Sequence, residues 1–300
     1  MTLQARPMTP FGVETDLASC PAPTSAEAEE LRSLFRRDGL LVVRGLRLNH
    51  DEQIAFCRIF GPVRETPYEN FLVSNVDEKG HLGTRELLWH NDVPYLPAPY
   101  LAGCLHALQV DEAAVGTRFT SGFRAYERLP DALRGRIEGM KALQVRERVF
   151  DRPNRLTDLQ AGDMCTVHDI VRTDPATGRK YLFVNQAWTA QVIGLTEEES
   201  QALLDQLYGY FYADGEVYEH RWSEGDIVLW NNLALQHARG EAGTGTRTLQ
   251  RVTITDLSYA EQYPTDVGIN TSLSNREMLE PKAHEAASAS DPLHPAIAGS

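Results

Sequence analysis

The chain has no long apolar run. Its longest purely aliphatic stretch is Leu40-Leu41-Val42-Val43, against the roughly 20 residues a membrane-crossing helix needs. Nor does it open with a charged segment followed by an apolar core, because Gln4, Arg6, Pro7 and Pro10 are scattered through Met1–Asp16. That argues against a secretory leader. No membrane partner is expected, and the cytoplasm is the expected compartment. Cysteine is scarce, at positions 20, 57, 104 and 165, without a Cys-x-x-Cys pair. This excludes a zinc ribbon or disulfide scaffold and suits a reducing compartment. Each cysteine is expected to be a small buried side chain. Lysine is nearly missing, with only Lys79, Lys141, Lys180 and Lys282. The basic total of 29 against 42 acidic residues leaves a net charge of −13. Such a surface repels phosphate backbones, so no nucleic-acid partner is expected.

What is present is ordinary globular material, 42% hydrophobic and 24% charged over 300 residues. There is no internal repeat, and nothing like a linker between residues 20 and 260. Thr24-Ser25-Ala26-Glu27 has capping-box form ahead of Leu31, Leu34 and Phe35, which predicts a helix ending at Gly39. Leu40–Arg44 reads as a buried strand. Asn49 caps a second helix running to Phe60, stopped by Gly61-Pro62. Strand signals then dominate at Phe71–Val73, Leu101–Val110 and 143–149, before and after one helical interval, 123–139. Ile170–Thr173 and Tyr181–Asn185 flank a turn-rich segment and predict a hairpin. Thr196–Glu199 opens a further helix, and Asp226–Trp230 and Thr248–Asp256 read as late strands. Helices do not alternate with strands, so the fold class is α+β, with a jelly-roll core of short strands and flanking helices. We expect a single domain over residues 1–265 and a polar, mobile tail over 266–300.

Histidine is where chemistry gathers. His-x-Asp or His-x-Glu can supply two ligands of a metal-binding facial triad, because residues i and i+2 of an extended segment share a face. Two sites fit, although chance alone supplies about one in a chain with 9 His and 42 acidic residues. His50-Asp51-Glu52 sits at a predicted helix start, where i and i+2 diverge and acidic residues serve the helix dipole. His90-Asn91-Asp92 lies between Leu87-Leu88-Trp89 and Val93-Pro94, a stretch the proline biases towards extended backbone. Far downstream, Gly225–Asn232 is a turn and strand leading to His237, followed by Arg247 and Arg251. Four residues apart on a strand, the two arginines face one side, and each needs an anion if buried.

The ordered set Trp89-His90-x-Asp92, Gly116-Thr117, Trp230-Asn231-Asn232-x4-His237 and Arg247-x3-Arg251 resembles the taurine/2,4-dichlorophenoxyacetate dioxygenase family. Phe60-Gly61-Pro62-Val63, Ala125–Leu129, Gly178–Asn185 and Glu199-Ser200 add to the likeness, which runs from about residue 25 to 256. The resemblance implies an Fe(II)- and 2-oxoglutarate-dependent dioxygenase on a double-stranded β-helix, using O2. It implies His90, Asp92 and His237 as metal ligands, and Thr117 and Arg247 as contacts to the distal carboxylate of 2-oxoglutarate. It places Arg251 on the cosubstrate or on an anionic substrate. Tyr68, Asn70, Tyr95 and Tyr100 lie beside the expected mouth, where packing competes with substrate contact as their role. His106 and His168 are read as structural. This chain departs from the family with Ala114-Val115 where Gly-Gly is common and with Asn231 and Leu233 in place of Asp and Arg.

The implied activity is oxidation, by default hydroxylation, of a C–H bond in a small, anionic organic substrate, with release of succinate and CO2. The surplus guanidinium of Arg251 is expected to await that substrate's anion or to pair with an internal carboxylate such as Asp226. Two other readings stay open: a cupin-like metal-dependent isomerase or lyase without oxygen chemistry, and a catalytically inactive metal-binding jelly-roll module. Homo-oligomerisation is left open by the sequence.

Overall fold

Three helices start where their side chains cap them. Thr24, Asn49 and Thr196 each accept from the backbone N–H three residues on, while Glu27, Glu52 and Glu199 reach back to the cap. The helices are Ser25–Asp38, His50–Cys57 and Glu197–Phe211. Gly39 closes the first at φ 72°, a left-handed conformation that suits glycine. The expected helical interval after residue 122 is two short helices, Gly122–Glu127 and Asp131–Ile137, with Pro130 between them. Proline has no N–H for a continuing helix and holds the residue before it out of helical conformation. The computed structural model describes residues 3–17, 22–64, 71–76, 81–82, 87–146, 152–159, 163–240 and 244–258. The expected tail over 266–300 therefore lies outside the described residues, as do Tyr68 and Asn70.

An eight-stranded sheet runs in the order Arg6–Pro7, Val13–Asp16, Leu40–Arg44, Ile227–Asn231, Ala102–Val110, Arg247–Ile254, Phe71–Ser74, His81–Leu82. Pairing is antiparallel except between Val13–Asp16 and Leu40–Arg44 and between the last two strands. A second sheet holds Tyr218–His220, Thr117–Ser121 and Leu235–Arg239. Strand alternation divides the large sheet's side chains between two cores. Leu41, Val43, Ile227, Leu229, Val252 and Ile254 pack on Leu31, Leu34 and Phe56 of the first two helices. Leu40, Val42, Val228, Trp230, Leu105 and Leu249 face Phe119 and Leu235 of the smaller sheet. Fully burying each such side chain contributes roughly 1.5–3 kcal/mol.

Two further pieces complete the frame. Thr189–Val192, Lys141–Val145 and Cys165–Asp169 form a three-stranded sheet, and Val171–Thr173 pairs with Lys180–Leu182 as the expected hairpin. The strand expected over 143–149 begins earlier, at Lys141, and ends at Val145; residues 147–149 lie outside the described residues. Cys57 and Cys104 are buried, as expected. Cys165 is exposed, because an outer strand of that sheet carries it with its side chain outward.

Candidate metal centre

Gly103 is the first requirement of the site. A Cβ there would lie 2.2 Å from the ring of Trp230 on the neighbouring strand. The bare backbone lets that indole lie flat in the core, where its ring centroid is 4.9 Å from His237's. His237 is the middle residue of the fully buried strand Leu235–Arg239. His90 meets it by an isolated antiparallel bridge. The His90 N–H donates to the His237 carbonyl at 3.0 Å, and the His237 N–H donates back at 2.8 Å. The imidazole centroids are consequently 4.1 Å apart.

Asp92 completes the group, but not by strand alternation as expected. Only His90 pairs; the chain then turns, and Val93 takes φ 48°, alone in the left-handed region among the described non-glycine residues. Pro94 disfavours the right-handed helical region for Val93. From this turn Asp92 Oδ1 lies 3.9 Å from His237 Nε2. One ligand atom from each of His90, Asp92 and His237 lies within 4.8 Å of the others. No second such metal-ligating group occurs among the described residues.

Two imidazoles and a carboxylate on one side, with the rest open, are the donor set of a non-haem Fe(II) facial triad, so these residues fit the metal. The His90 Nδ1 lies 2.7 Å from the Leu88 carbonyl; donating there leaves the Nε2 lone pair free for a metal. Burial lowers the pKa of His90 and of His237, the latter pushed down further by His90. Both rings are therefore neutral and ready to ligate near pH 7. Burial pushes the Asp92 carboxyl up, but Arg251, His237 and His90 outweigh it and hold it well below the usual carboxylate range.

Arg251 does not wait for a second anion. Its Nη2 donates to Asp92 Oδ2 at 2.6 Å, in a pair with side chains only 13% and 12% exposed. Asp226, the internal carboxylate named from the sequence, instead accepts from Arg44 at 2.6 Å and lies 3.1 Å from His220 Nε2. Arg247 is buried on the same strand, and its Nη1 donates to the Val115 carbonyl at 2.7 Å. Burial, then the nearby charge of Arg239, pulls the Arg247 guanidinium down to about 9, leaving it a cation at neutral pH. Thr117 Oγ1 lies 3.5 Å from Arg247 and accepts from the Trp222 indole at 3.0 Å. Both neighbours can only donate, so the Thr117 hydroxyl hydrogen is left to point at an arriving acceptor.

Tyr95 is buried against Trp188, 5.1 Å between centroids, and Trp188 in turn edges His90 at 6.3 Å. Trp188 thus packs beside His90, with Tyr95 against it. Tyr100 accepts from Arg64 at 2.7 Å. His106 and His168 lie within donating distance of the carbonyls of Leu46 and Leu96, at 2.9 and 3.0 Å, away from the ligand group. His50 opens a helix, as its neighbours indicated. Sequence reasoning gave no role to Trp222 or Arg239, nor to Asn91, Asn185 and Asn232, which surround the His90–Asp92 turn. Asn231, where the family's aspartate stands, accepts from the N–H groups of Leu233 and Ala234 at 3.1 Å and shapes the turn into His237's strand.

The chain matches the family described as taurine catabolism dioxygenase TauD, TfdA across residues 4–253. It is 31% identical over 285 residues to an alpha-ketoglutarate-dependent 2,4-dichlorophenoxyacetate dioxygenase of Cupriavidus pinatubonensis, covering 85% of this chain and 99% of that protein. To a pentalenolactone F synthase of Streptomyces avermitilis it is 29% identical, covering 80% and 89%. Among solved structures, the AAD-2 complex with Mn(II) and N-oxalylglycine superposes with a TM-score of 0.71 at 24% identity, covering 85% and 97%. A taurine dioxygenase from Burkholderia xenovorans gives 0.69 at 23%, covering 85% and 91%.

Proposed function

The chain belongs to the taurine catabolism dioxygenase TauD, TfdA family, and we propose on that premise that it hydroxylates a C–H bond of a small anionic organic substrate. It is a non-haem Fe(II)- and 2-oxoglutarate-dependent oxygenase, and its cosubstrates are 2-oxoglutarate and O2. The observation that carries the proposal is the His90, Asp92 and His237 group, with Thr117 of the smaller sheet and Arg247 of the larger one meeting beside it. The two facing sheets are read as the double-stranded β-helix of the family, in a single domain over residues 1–265.

Bound at the three side chains, Fe(II) with 2-oxoglutarate and O2 supplies oxidative decarboxylation to succinate and CO2, coupled to oxidation of the substrate. The protein's part is positioning. His90 and His237 present neutral nitrogens, and Asp92 presents a charged oxygen. Arg247 offers a guanidinium to the distal carboxylate of 2-oxoglutarate, and Thr117, held by Trp222, adds a hydroxyl donor. Arg251 is the cation beside Asp92, which a substrate anion would share. Trp188, backed by Tyr95, packs on the His90 ring. The 2,4-dichlorophenoxyacetate that names one relative is itself a carboxylate. The carboxylate of Asp92 fills the position that halide takes in related halogenases, so hydroxylation is the default outcome; product analysis distinguishes it from desaturation or another oxidation.

The test is succinate release from a panel of carboxylates and sulfonates, each paired with its neutral amide or ester. Anaerobic addition of Fe(II) and 2-oxoglutarate should first give a weak visible charge-transfer band. The acids should support turnover and the neutral analogues should not. Equal turnover of both removes the anionic substrate; a band without succinate on admitting oxygen leaves an inactive module.

A further inference from the structure

The turn that carries Asp92 is held from one side by a single residue. Asn232 is fully buried at the end of the central strand Ile227–Asn231. Its Oδ1 accepts from the Asp92 N–H at 2.8 Å, and its Nδ2 donates to the Asp92 carbonyl at 3.0 Å and to the Tyr100 carbonyl at 3.0 Å. One side-chain amide thus grips both main-chain polar groups of a metal ligand. A second grip bears on the preceding residue: Asn91 Nδ2 donates to the carbonyls of Asn232 and Leu235 at 2.7 and 3.0 Å, and its Oδ1 accepts from Asn185 at 3.2 Å.

The grip has something to resist. Val93 follows directly with φ 48°, where a β-branched residue is disfavoured because its Cβ crowds the backbone. Such conformations persist only where their surroundings over-determine them. Left to itself, the turn would relax through Asp92 and Val93 and carry the carboxylate away from His90 and His237.

We propose that Asn232 is a positioning residue: it clamps the Asp92 backbone so that the strained turn at Val93 keeps the carboxylate in the metal-ligand group. This rests on the reading that His90, Asp92 and His237 hold the metal. Binding energy at the centre then depends on an amide that touches neither metal nor substrate. It also makes the identity of residue 93 matter only when the clamp is gone.

The experiment is a mutant cycle read by Mn(II) affinity, measured anaerobically by chelator competition. Val93→Ala and Val93→Gly both remove the branched methyl groups, but only glycine also lacks the Cβ that makes positive φ uncomfortable. With Asn232 present, the two should bind Mn(II) within about threefold of each other, since the clamp imposes the conformation. In the N232A background Mn(II) affinity should fall by about 10–100-fold, as for other residues that orient ligands. There V93G should bind about tenfold more tightly than V93A, because the residue's own preference now decides. With saturating metal, the KM for 2-oxoglutarate should stay unchanged, because Thr117 and Arg247 stand on other strands. A general loosening of the core would move it.

Unaltered Mn(II) affinity in N232A overturns the proposal, and so does an equal V93A–V93G difference in both backgrounds. N232D, which keeps the acceptor and loses the donor, is the second background if N232A does not unfold cooperatively. Loss of cooperative unfolding in both would make Asn232 a folding requirement and overturn its role as a clamp. If the wild-type chain binds Mn(II) no better than His237→Ala, it is the assignment of the metal ligands that fails, and the clamp goes with it.

Discussion

Replacing Arg251 with methionine keeps most of the side chain's length and removes its charge. In the metal-free protein this strands the Asp92 carboxylate, which is 12% exposed and accepts from Arg251 at 2.6 Å. Breaking a buried pair by removing one partner costs about 3–5 kcal/mol. For a folded domain of about 150–250 residues, each kcal/mol shifts the thermal midpoint by roughly 2–4 °C. Metal-free Arg251→Met should therefore melt about 6–20 °C below wild type. A divalent cation on Asp92 supplies the missing positive charge, so saturating Mn(II) should close at least about half of that gap. The same cycle requires the variant to bind Mn(II) more tightly than wild type, because the metal no longer competes with a guanidinium for the carboxylate. Differential scanning calorimetry with and without Mn(II), anaerobically and at fixed pH, measures both quantities. An equal gap in the two conditions, or a smaller Mn(II)-induced rise in the variant, refutes the reasoning. Arg251 would then be bonded to Asp92 without opposing the metal there.

Further expectations can be checked in the same preparations. Alanine at His90, Asp92 or His237 should abolish nearly all succinate release and weaken Mn(II) binding, because each removes one of three protein ligands; wild-type turnover in Asp92→Ala would break the triad. Arg247→Lys should raise the KM for 2-oxoglutarate about tenfold, since a lysine has no second N–H fork for the carboxylate, and steady-state kinetics at saturating Fe(II) read it. The metal-free protein should lose stability once pH falls below about 6.5, earlier than carboxylate titration would cause. The sign follows from His90, His106, His168, His220 and His237, all lowered chiefly by burial. Between their folded values and 6.5 the unfolded chain binds more protons, so their contribution is present above 6.5 and is lost on acidification. A thermal midpoint that stays flat from pH 7 to 5 contradicts it.

Much of this was legible in the residues because local chemistry repeats itself. Capping boxes at Thr24, Asn49 and Thr196 place helix starts without any tertiary information. The hairpin around Asp174–Gly178 follows from its turn residues. Strand Leu235–Arg239 was not legible as one, and read only as the way to His237. Buried on both faces, it has none of the alternation that marks a half-exposed strand. His90 and Asp92 were found for a reason that does not hold: they are joined by a turn, and their convergence depends on a bridge to His237, 147 residues on. The asparagines were given no role for a related reason, although Asn232 belongs to the motif that carries the resemblance. Asn is common in turns, and only the folded arrangement shows Asn232 holding one from the opposite strand. Arg251 was found, but its partner was not, since strand spacing says which way a side chain faces and not what it meets.

The order of the large sheet also fixes when this enzyme can exist during its own synthesis. Strands Ile227–Asn231 and Arg247–Ile254 come late in the chain, yet they fill the middle of the sheet, on either side of Ala102–Val110. Until they leave the ribosome, Leu40–Arg44, Ala102–Val110 and Phe71–Ser74 have no neighbours on those flanks. At roughly 5–20 residues per second, the nascent chain carries open apolar edges for many seconds before the sheet closes. The three candidate iron ligands cannot come together on a half-made chain, because His237 lies between the two keystone strands, which are translated after everything they join.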